Sequence, residues 1–407
     1  MKISRKGLWA IIICLFVILL GETCLTRTSL RTTYAYYRTK LTKQLKKIEN
    51  QKDADEKLSN FLSADISEKS VLYFEPNPYH HECTPGYVKY FTDLGYNVDL
   101  LIRANNEDCM ELFEPKDKIR IFTFDNLDQI DFKNKDICEK AKKYERVFLQ
   151  TLDPTIKGMK ELVQNLGFYD HSGSMIVLHD TNLIRELGVK NFVKQNRIIT
   201  LGDFGKALYV NPNYFGNIPE HTKNKKTRFF ITSNSGKNYL PFIRSIQELD
   251  KQGLDFEIVV VGRTKEFSTY NLPVNLRKYF TFKQSIPYKD MYKELMQSDY
   301  ILIYFDPNGT LDAQFKKRRI TGSAQLAYGF AKPAIIHEDF YKTYKFTDKE
   351  NAFLYYDGFL GKAMKDAIML NSTDYTKMVH SMNSLRESIY NKSMENIKLC
   401  LETNPRN

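Results

Sequence analysis

Apolar positions fall into three regimes along the chain. Residues 8–20 (LWAIIICLFVILL) form an uninterrupted apolar run behind a basic MKISRK segment. That run is shorter than the roughly 20 residues of a usual span, so it predicts a short membrane anchor, with a signal-peptide core as the alternative. Residues 27–67 read as a polar, basic stem, in which LTKQLKKIENQKDADEKLSNFL sets its leucines and isoleucine at roughly helical spacing. A solvated stem with one weakly amphipathic face is the simple reading; contact with anionic lipid is the other.

From residue 68 onward, short β-branched and aromatic runs alternate with amphipathic segments. The pattern predicts strands at 71–75, 98–102, 119–124, 147–152, 175–179 and 198–201, with helices at 86–94, 136–143, 156–166 and 181–187. The polar stretch NIPEHTKNKKT (217–227) marks an internal boundary. A second alternation follows, with strands at 229–232, 257–261, 279–283, 300–305, 334–337 and 353–356. Its helices are expected at 239–251, 288–297, 322–330 and 360–370, with a long terminal one within 373–402. Such βαβ alternation predicts parallel sheets covered on both faces. The expected fold class is therefore α/β: two Rossmann-like domains facing a cleft, preceded by a single N-terminal transmembrane helix and stem. The corresponding boundaries are 1–26 for tail and anchor, 27–67 for the stem, 68–216 and 228–372 for the domains, 217–227 for the linker and 373–407 for a C-terminal helix.

Composition narrows the class. A 407-residue chain with 42% hydrophobic and 27% charged residues is neither disordered nor fibrous. Its six cysteines show no Cys-x-x-Cys or paired Cys/His spacing, which excludes a zinc module or disulfide mini-protein and leaves a single disulfide open. The net charge of +11 is concentrated in residues 27–47, and no aromatic-basic stripe accompanies it, so a nucleic-acid partner is not expected.

Ligands in open parallel sheets bind beyond the carboxyl ends of the strands, so chemistry is sought in those loops. In YILIYFDPNGTLDAQFKKRRITGSAQLAYGFAKPAIIHEDF (300–340), a buried strand is followed by a basic loop and then by Thr321, Gly322 and Ser323 opening a helix. A helix N-terminus offers free N–H groups to an oxyanion, and Arg318 and Arg319 add counter-charge, which makes a diphosphate cradle. The alternative is an ordinary Ser/Thr cap beside a solvated loop. In the first half, the strand at 71–75 runs into PNPYHHECTPGYVKYF, placing His80, His81 and Glu82 before a helix in a loop that holds a general base or binds the acceptor, with a polar loop of helix-capping residues as the alternative. The strand SMIVLHD ends in His179, which either faces the same cleft or is a buried histidine bonded to Asp180. Metal is not expected, because the one Asp-x-Asp, at Asp53 and Asp55, lies in the stem.

The run ITGSAQLAYGFAKPAII resembles the nucleotide-binding segment of GT-B glycosyltransferases: a Gly/Ser turn, a helix ending in a small residue and Lys-Pro, then a buried strand. The preceding TFKQSIPYKDMYKELMQSDYILIYF resembles the segment of that fold that holds the nucleoside. The likeness covers most of 228–370, and the first half by pattern alone. One departure stands out: no Glu occurs between Glu294 and Glu338, so the Glu-x7-Glu pair of many retaining members is absent, and Gln325 stands near the place of the ribose-gripping carboxylate.

The resemblance implies transfer of a sugar from a nucleotide-diphosphate sugar to a glycan or glycolipid acceptor, without cofactor or metal. It implies that Ser233, Gly236 and Lys237 meet the donor phosphates, that the turn holding Ile286 reads the base through backbone groups, and that His179 touches the transferred sugar. A catalytically degenerate binding protein and a nucleotide-sugar epimerase of the same architecture are the alternatives. An anchor, a stem and three sequons at Asn308, Asn371 and Asn391 resemble Golgi type II transferases, which places the body in the Golgi or ER lumen. The cytosolic face of a membrane is the other topology.

Overall fold

The computed structural model describes residues 56–104, 106–124, 135–156, 159, 161, 164, 171–233, 238–262, 272–305, 309 and 312–402. The apolar run 8–20, the stem up to residue 55 and most of the expected helix at 156–166 lie outside the described residues. Among the described residues no helix is long and apolar enough to cross a membrane. Phe61–Asn407 forms one compact unit.

That unit holds two parallel sheets. The first contains β1 (Ser70–Glu75), β2 (Asn97–Arg103), β3 (Ile119–Phe124), β4 (Arg146–Leu149), β5 (Ser174–Leu178), β6 (Ile198–Thr200) and β7 (Leu208–Tyr209), in the order β3-β2-β1-β4-β5-β6-β7. The second contains β8 (Thr227–Ser233), β9 (Phe256–Gly262), β10 (Phe280–Gln284), β11 (Tyr300–Ile303), β12 (Ala334–His337) and β13 (Ala352–Tyr355), in the order β10-β9-β8-β11-β12-β13. The second runs 3-2-1-4-5-6 and the first adds a seventh strand to that order, the doubly wound arrangement whose direction reverses beside the first strand of each sheet. Strands covered on both faces need continuous apolar runs, and SVLYFE of β1 is buried at every position.

Aromatic packing fixes the loop after β1. Tyr73 stacks on Phe148 of β4 at 5.1 Å, and Phe148 meets Tyr87 and Phe91 of the helix Thr84–Asp93 at 5.0 and 5.1 Å. Such pairs add about 0.5–1.5 kcal/mol each beyond their buried area, so helix and strands are held in one register. Gly86 lets this helix press on the chain at Pro212, where a Cβ would stand 2.4 Å from a backbone carbon. The loop between β1 and this helix, residues 76–83, is thereby held at the sheet's carboxyl edge.

Several expected boundaries shift. The strand expected over 147–152 ends at Leu149, because Gln150 and Thr151 turn their side chains to the β1 loop: Gln150 Nε2 donates to the His80 carbonyl and Thr151 Oγ1 to Glu75. The strand expected over 300–305 ends at Ile303, and Phe305 N donates instead to the Tyr355 hydroxyl. The helix expected over 181–187 contracts to Leu183–Glu186, since Asp180 Oδ1 accepts from Asn182 N in a tight turn and Thr181 N donates to the Arg318 carbonyl. The two residues of β7 are too few to show a period. The four described cysteines, Cys83, Cys109, Cys138 and Cys400, are free thiols.

The helix Ser372–Glu402 joins both cores. Tyr375 and Met378 pack with the second sheet, while Ile397 and Cys400 pack with the first.

Candidate active site

The carboxyl ends of β1, β5, β8 and β9 converge with the start of the helix Gly322–Gly329 on a cavity of ≈ 290 Å³. Its first-sheet side carries His80, Glu82, Cys83 and His179, and its second-sheet side carries Thr232, Gly262, Thr321, Gly322, Ser323 and Gln325. Tyr288 and Met291, from the helix Tyr288–Met296, close one end.

His80 has φ 73°, a left-handed conformation that costs a non-glycine residue on the order of 1–3 kcal/mol. It brings the His80 ring to 4.2 Å from the His179 ring, centroid to centroid, with Nδ1 3.5 Å from Glu82 Oε1. His179 Nε2 lies 3.2 Å from Thr151 Oγ1, which donates to Glu75 Oε2 at 2.6 Å, and Asn77 N donates to the other Glu75 oxygen at 2.7 Å. A chain of polar groups thus runs from a fully buried carboxyl through Thr151 to the cleft.

Burial sets the charge of these groups. It pushes the Glu75 carboxyl well above the usual range, although the Thr151 and Asn77 hydrogen bonds oppose it. Burial, reinforced by the neighbouring His80, lowers His179 well below its ordinary value, so this imidazole is neutral at pH 7. Burial also acts to raise Glu82, but the hydrogen bond and charge of His80 outweigh it and hold this carboxylate ionised, with the Tyr288 hydroxyl donating to Oε2 at 3.2 Å.

His81 goes the other way. It is fully buried, neither ring nitrogen reaches a partner at hydrogen-bond geometry among the described residues, and burial lowers its pKa from 6.5 to about 4. It does not line the cavity, so of the three histidines expected at the site two meet there.

On the opposite side, Ser323 Oγ lies 2.6 Å from Thr232 Oγ1. Gln325 is fully buried: its Oε1 accepts from Cys83 Sγ at 3.3 Å, while its Nε2 has no hydrogen-bond partner among the described residues. Gly322 opens the helix, and a Cβ there would stand 3.4 Å from Glu82 Oε1. Arg318 Nη1 and Arg319 Nε both meet Asp180 Oδ2, at 3.0 and 2.8 Å. Asp180 therefore pairs with these arginines rather than with His179, which removes the buried His179–Asp180 pair as a reading. Ile286 sits half-buried in the turn after β10, behind the cavity rather than in its lining. Ser233 is the last residue of β8, paired in register with Gly262. Gly236 and Lys237 lie outside the described residues.

Three residues escaped the sequence reading of the site: Glu75, Thr151 and Thr232. For Glu75 a signal exists, a carboxylate closing the apolar strand SVLYFE, and such a group is buried with partners or not buried at all.

No protein-family model and no curated protein matches this chain. Solved structures do. A crystal structure of a glycosyltransferase from Rickettsia africae aligns over 84% of this chain and 100% of its own, at 12% identity and a TM-score of 0.53. A glycosyltransferase involved in avilamycin A biosynthesis aligns over 82% of this chain and 98% of its own, at 9% identity and a TM-score of 0.51. The fold is the GT-B fold of glycosyltransferases. Within this GT-B architecture, the cavity lies between the two Rossmann-like sheets, at the point where strand order reverses in each.

Proposed function

We propose that this chain is a membrane-anchored glycosyltransferase that moves a sugar from a nucleotide-diphosphate sugar to a hydroxyl of a glycan or lipid-linked acceptor. One observation carries the reading: the close-set His80 and His179 rings, the second held neutral by burial, face a helix N-terminus and hydroxyls across the cleft. The acceptor oxygen attacks the anomeric carbon, and the bond from that carbon to the diphosphate oxygen breaks with its electron pair leaving on the diphosphate. His80, whose Nδ1 faces Glu82, takes the acceptor proton at Nε2. His179, neutral and oriented by Thr151, contacts the sugar. Developing charge on the leaving group falls at the start of the helix Gly322–Gly329, where the N–H groups of Gly322 and Ser323 precede the first bond of the turn, from Ala324 N to the Thr321 carbonyl. Lys237 is proposed to add charge to the same phosphates. The body is assigned to a Golgi or ER lumen, with the cytosolic face of a membrane as the other topology.

A second reading, a binding protein without donor chemistry, is favoured by the absent Glu pair and by the engagement of both arginines with Asp180. The test incubates the full chain with UDP-, GDP- and CMP-sugars, with and without oligosaccharide acceptors, and identifies products by mass spectrometry. Glycosylated acceptor, lost in His80→Ala, supports the transferase. Nucleotide binding without turnover moves the assignment to the binding protein, and an altered sugar formed without acceptor moves it to an epimerase.

A further inference from the structure

Another cavity, of ≈ 470 Å³, lies behind the cleft, at the far ends of two helices that begin beside it. The helix Thr84–Asp93 follows the turn that carries His80 and Glu82, and its end brings Lys89 and Asp93 to this cavity. The helix Gly322–Gly329 starts in the cleft and ends here at Gly329. Helices of this length span about 12–15 Å, and the two cavities share no lining residue. The chain linking the two sheets, at Asn213 and Asn217, and the helix Ser372–Glu402, at Arg386 and Tyr390, complete the wall. The volume falls within the range of about 300–1,000 Å³ of small-molecule sites.

The polar groups of this wall are not satisfied by one another. Asn213 is 1% exposed; its Nδ2 donates to the Arg386 carbonyl at 2.8 Å, while its Oδ1 has no hydrogen-bond partner among the described residues. Arg386 is half-buried, and burial lowers its pKa, yet its guanidinium makes one hydrogen bond among the described residues, from Nη1 to the Gly329 carbonyl at 3.3 Å. An acceptor without a donor thus stands on the same wall as a guanidinium with N–H groups to spare. An anion supplies only acceptors and a cation only donors, whereas a hydroxyl supplies both. Charge points the same way: Lys89 pairs with Asp93, Glu387 follows Arg386, and the lining carries no net charge. Two tyrosines add fixed apolar faces. Tyr390 stacks on Tyr90 at 4.9 Å and donates its hydroxyl to Asp93, and the Tyr214 hydroxyl donates to the Glu114 carbonyl at 3.0 Å.

We propose that this cavity binds a neutral sugar, its hydroxyls bonded to Asn213 Oδ1 and the Arg386 guanidinium and its C–H faces toward the rings of Tyr214 and Tyr390. A sugar ring has hydroxyls along its edge and C–H groups on its faces, the same division of polar and apolar groups as this wall. The site is separate from the cleft and stands whether or not the cleft transfers a sugar.

The experiment is saturation-transfer NMR on the full chain, in a mild detergent without a sugar headgroup, with the methyl glycosides of glucose, galactose, mannose and N-acetylglucosamine and with glucuronic acid as the charged counterpart. At least one neutral glycoside is expected to bind, more tightly than glucuronic acid. Arg386→Met should weaken that binding by at least about tenfold, the usual worth of a hydrogen bond to a charged group, while His179→Ala in the cleft leaves it within about twofold. Binding that survives Arg386→Met, or that falls with His179→Ala, overturns the inference, as does the absence of binding by any of the glycosides to folded wild-type protein. Tighter binding of glucuronic acid overturns the neutral class. Melting curves check each variant; should Arg386→Met fail to fold, Asn217→Trp, made at an exposed position of the wall, fills the cavity and is expected to abolish binding.

Discussion

The two sides of the cleft share one topology and differ in chemistry. The first-sheet side holds His80, Glu82 and His179, backed by Glu75 and Thr151; burial raises Glu75 and lowers His179, while His80 lowers Glu82 against its burial. The second-sheet side holds Thr232, Thr321, Gly322, Ser323 and Gln325, none of which titrates. Both sheets bring strand ends and helix starts to the cavity, so strand order does not account for the difference. It comes from what each sequence places after its strands: a His-His-Glu turn in the first domain, a Thr-Gly-Ser helix start in the second. A side that titrates handles protons, and a side of fixed dipoles handles an anion without changing its own charge. Mutations on the two sides should therefore separate turnover from nucleotide affinity.

The largest expected effect tests that separation. His80→Ala should lower the transfer rate by about 10²–10⁴, the usual contribution of a positioned base, while nucleotide affinity changes little. Rate and affinity falling together would merge the two sides into one binding surface and remove His80 from proton transfer.

The next effect lies behind the first side and is read in stability. His81 has a folded-state pKa of about 4 against 6.5, so between these values the unfolded chain binds more protons than the folded one. Stability should therefore fall as pH drops from 6.5 to 4, by about 3 kcal/mol from this residue, and level off below. Denaturant titrations at pH 7 and pH 4.5 check this, and His81→Leu should flatten the difference. An unchanged pH dependence in that variant would place the acid sensitivity elsewhere.

Much of this frame was legible in the sequence, and the limits follow from distance along the chain. Parallel strands covered on both faces read as apolar runs, so FEIVVVG and SVLYFE announce β9 and β1 directly. Gly322, Ser323 and Gln325 were legible for different reasons: the first two because a helix start after a strand has a local signature, Gln325 only through the family resemblance. The partners were not. Arg319 meets Asp180 across 139 residues and Thr151 meets Glu75 across 76, and no local pattern encodes such pairings. His80 and His81 are alike in composition; the left-handed backbone at His80 accompanies one ring in the cleft and the next buried in the core.

The smallest effect concerns the fixed-dipole side. Ser323→Ala removes one partner of the 2.6 Å contact with Thr232 and leaves that hydroxyl without it. A lost hydrogen bond of this kind costs about 1 kcal/mol, so the folded protein should lose about that much stability in denaturant titrations. Because neither hydroxyl titrates near neutral pH, the pH profile of turnover should keep its shape, set by groups on the facing side. The double variant Ser323→Ala with Thr232→Val, which removes both hydroxyls, should recover part of the loss, since an unmatched buried hydroxyl costs more than an absent one. A pH profile displaced by Ser323→Ala would mean that this helix start tunes the histidines across the cleft, and the division between a titrating side and a fixed one would have to be redrawn.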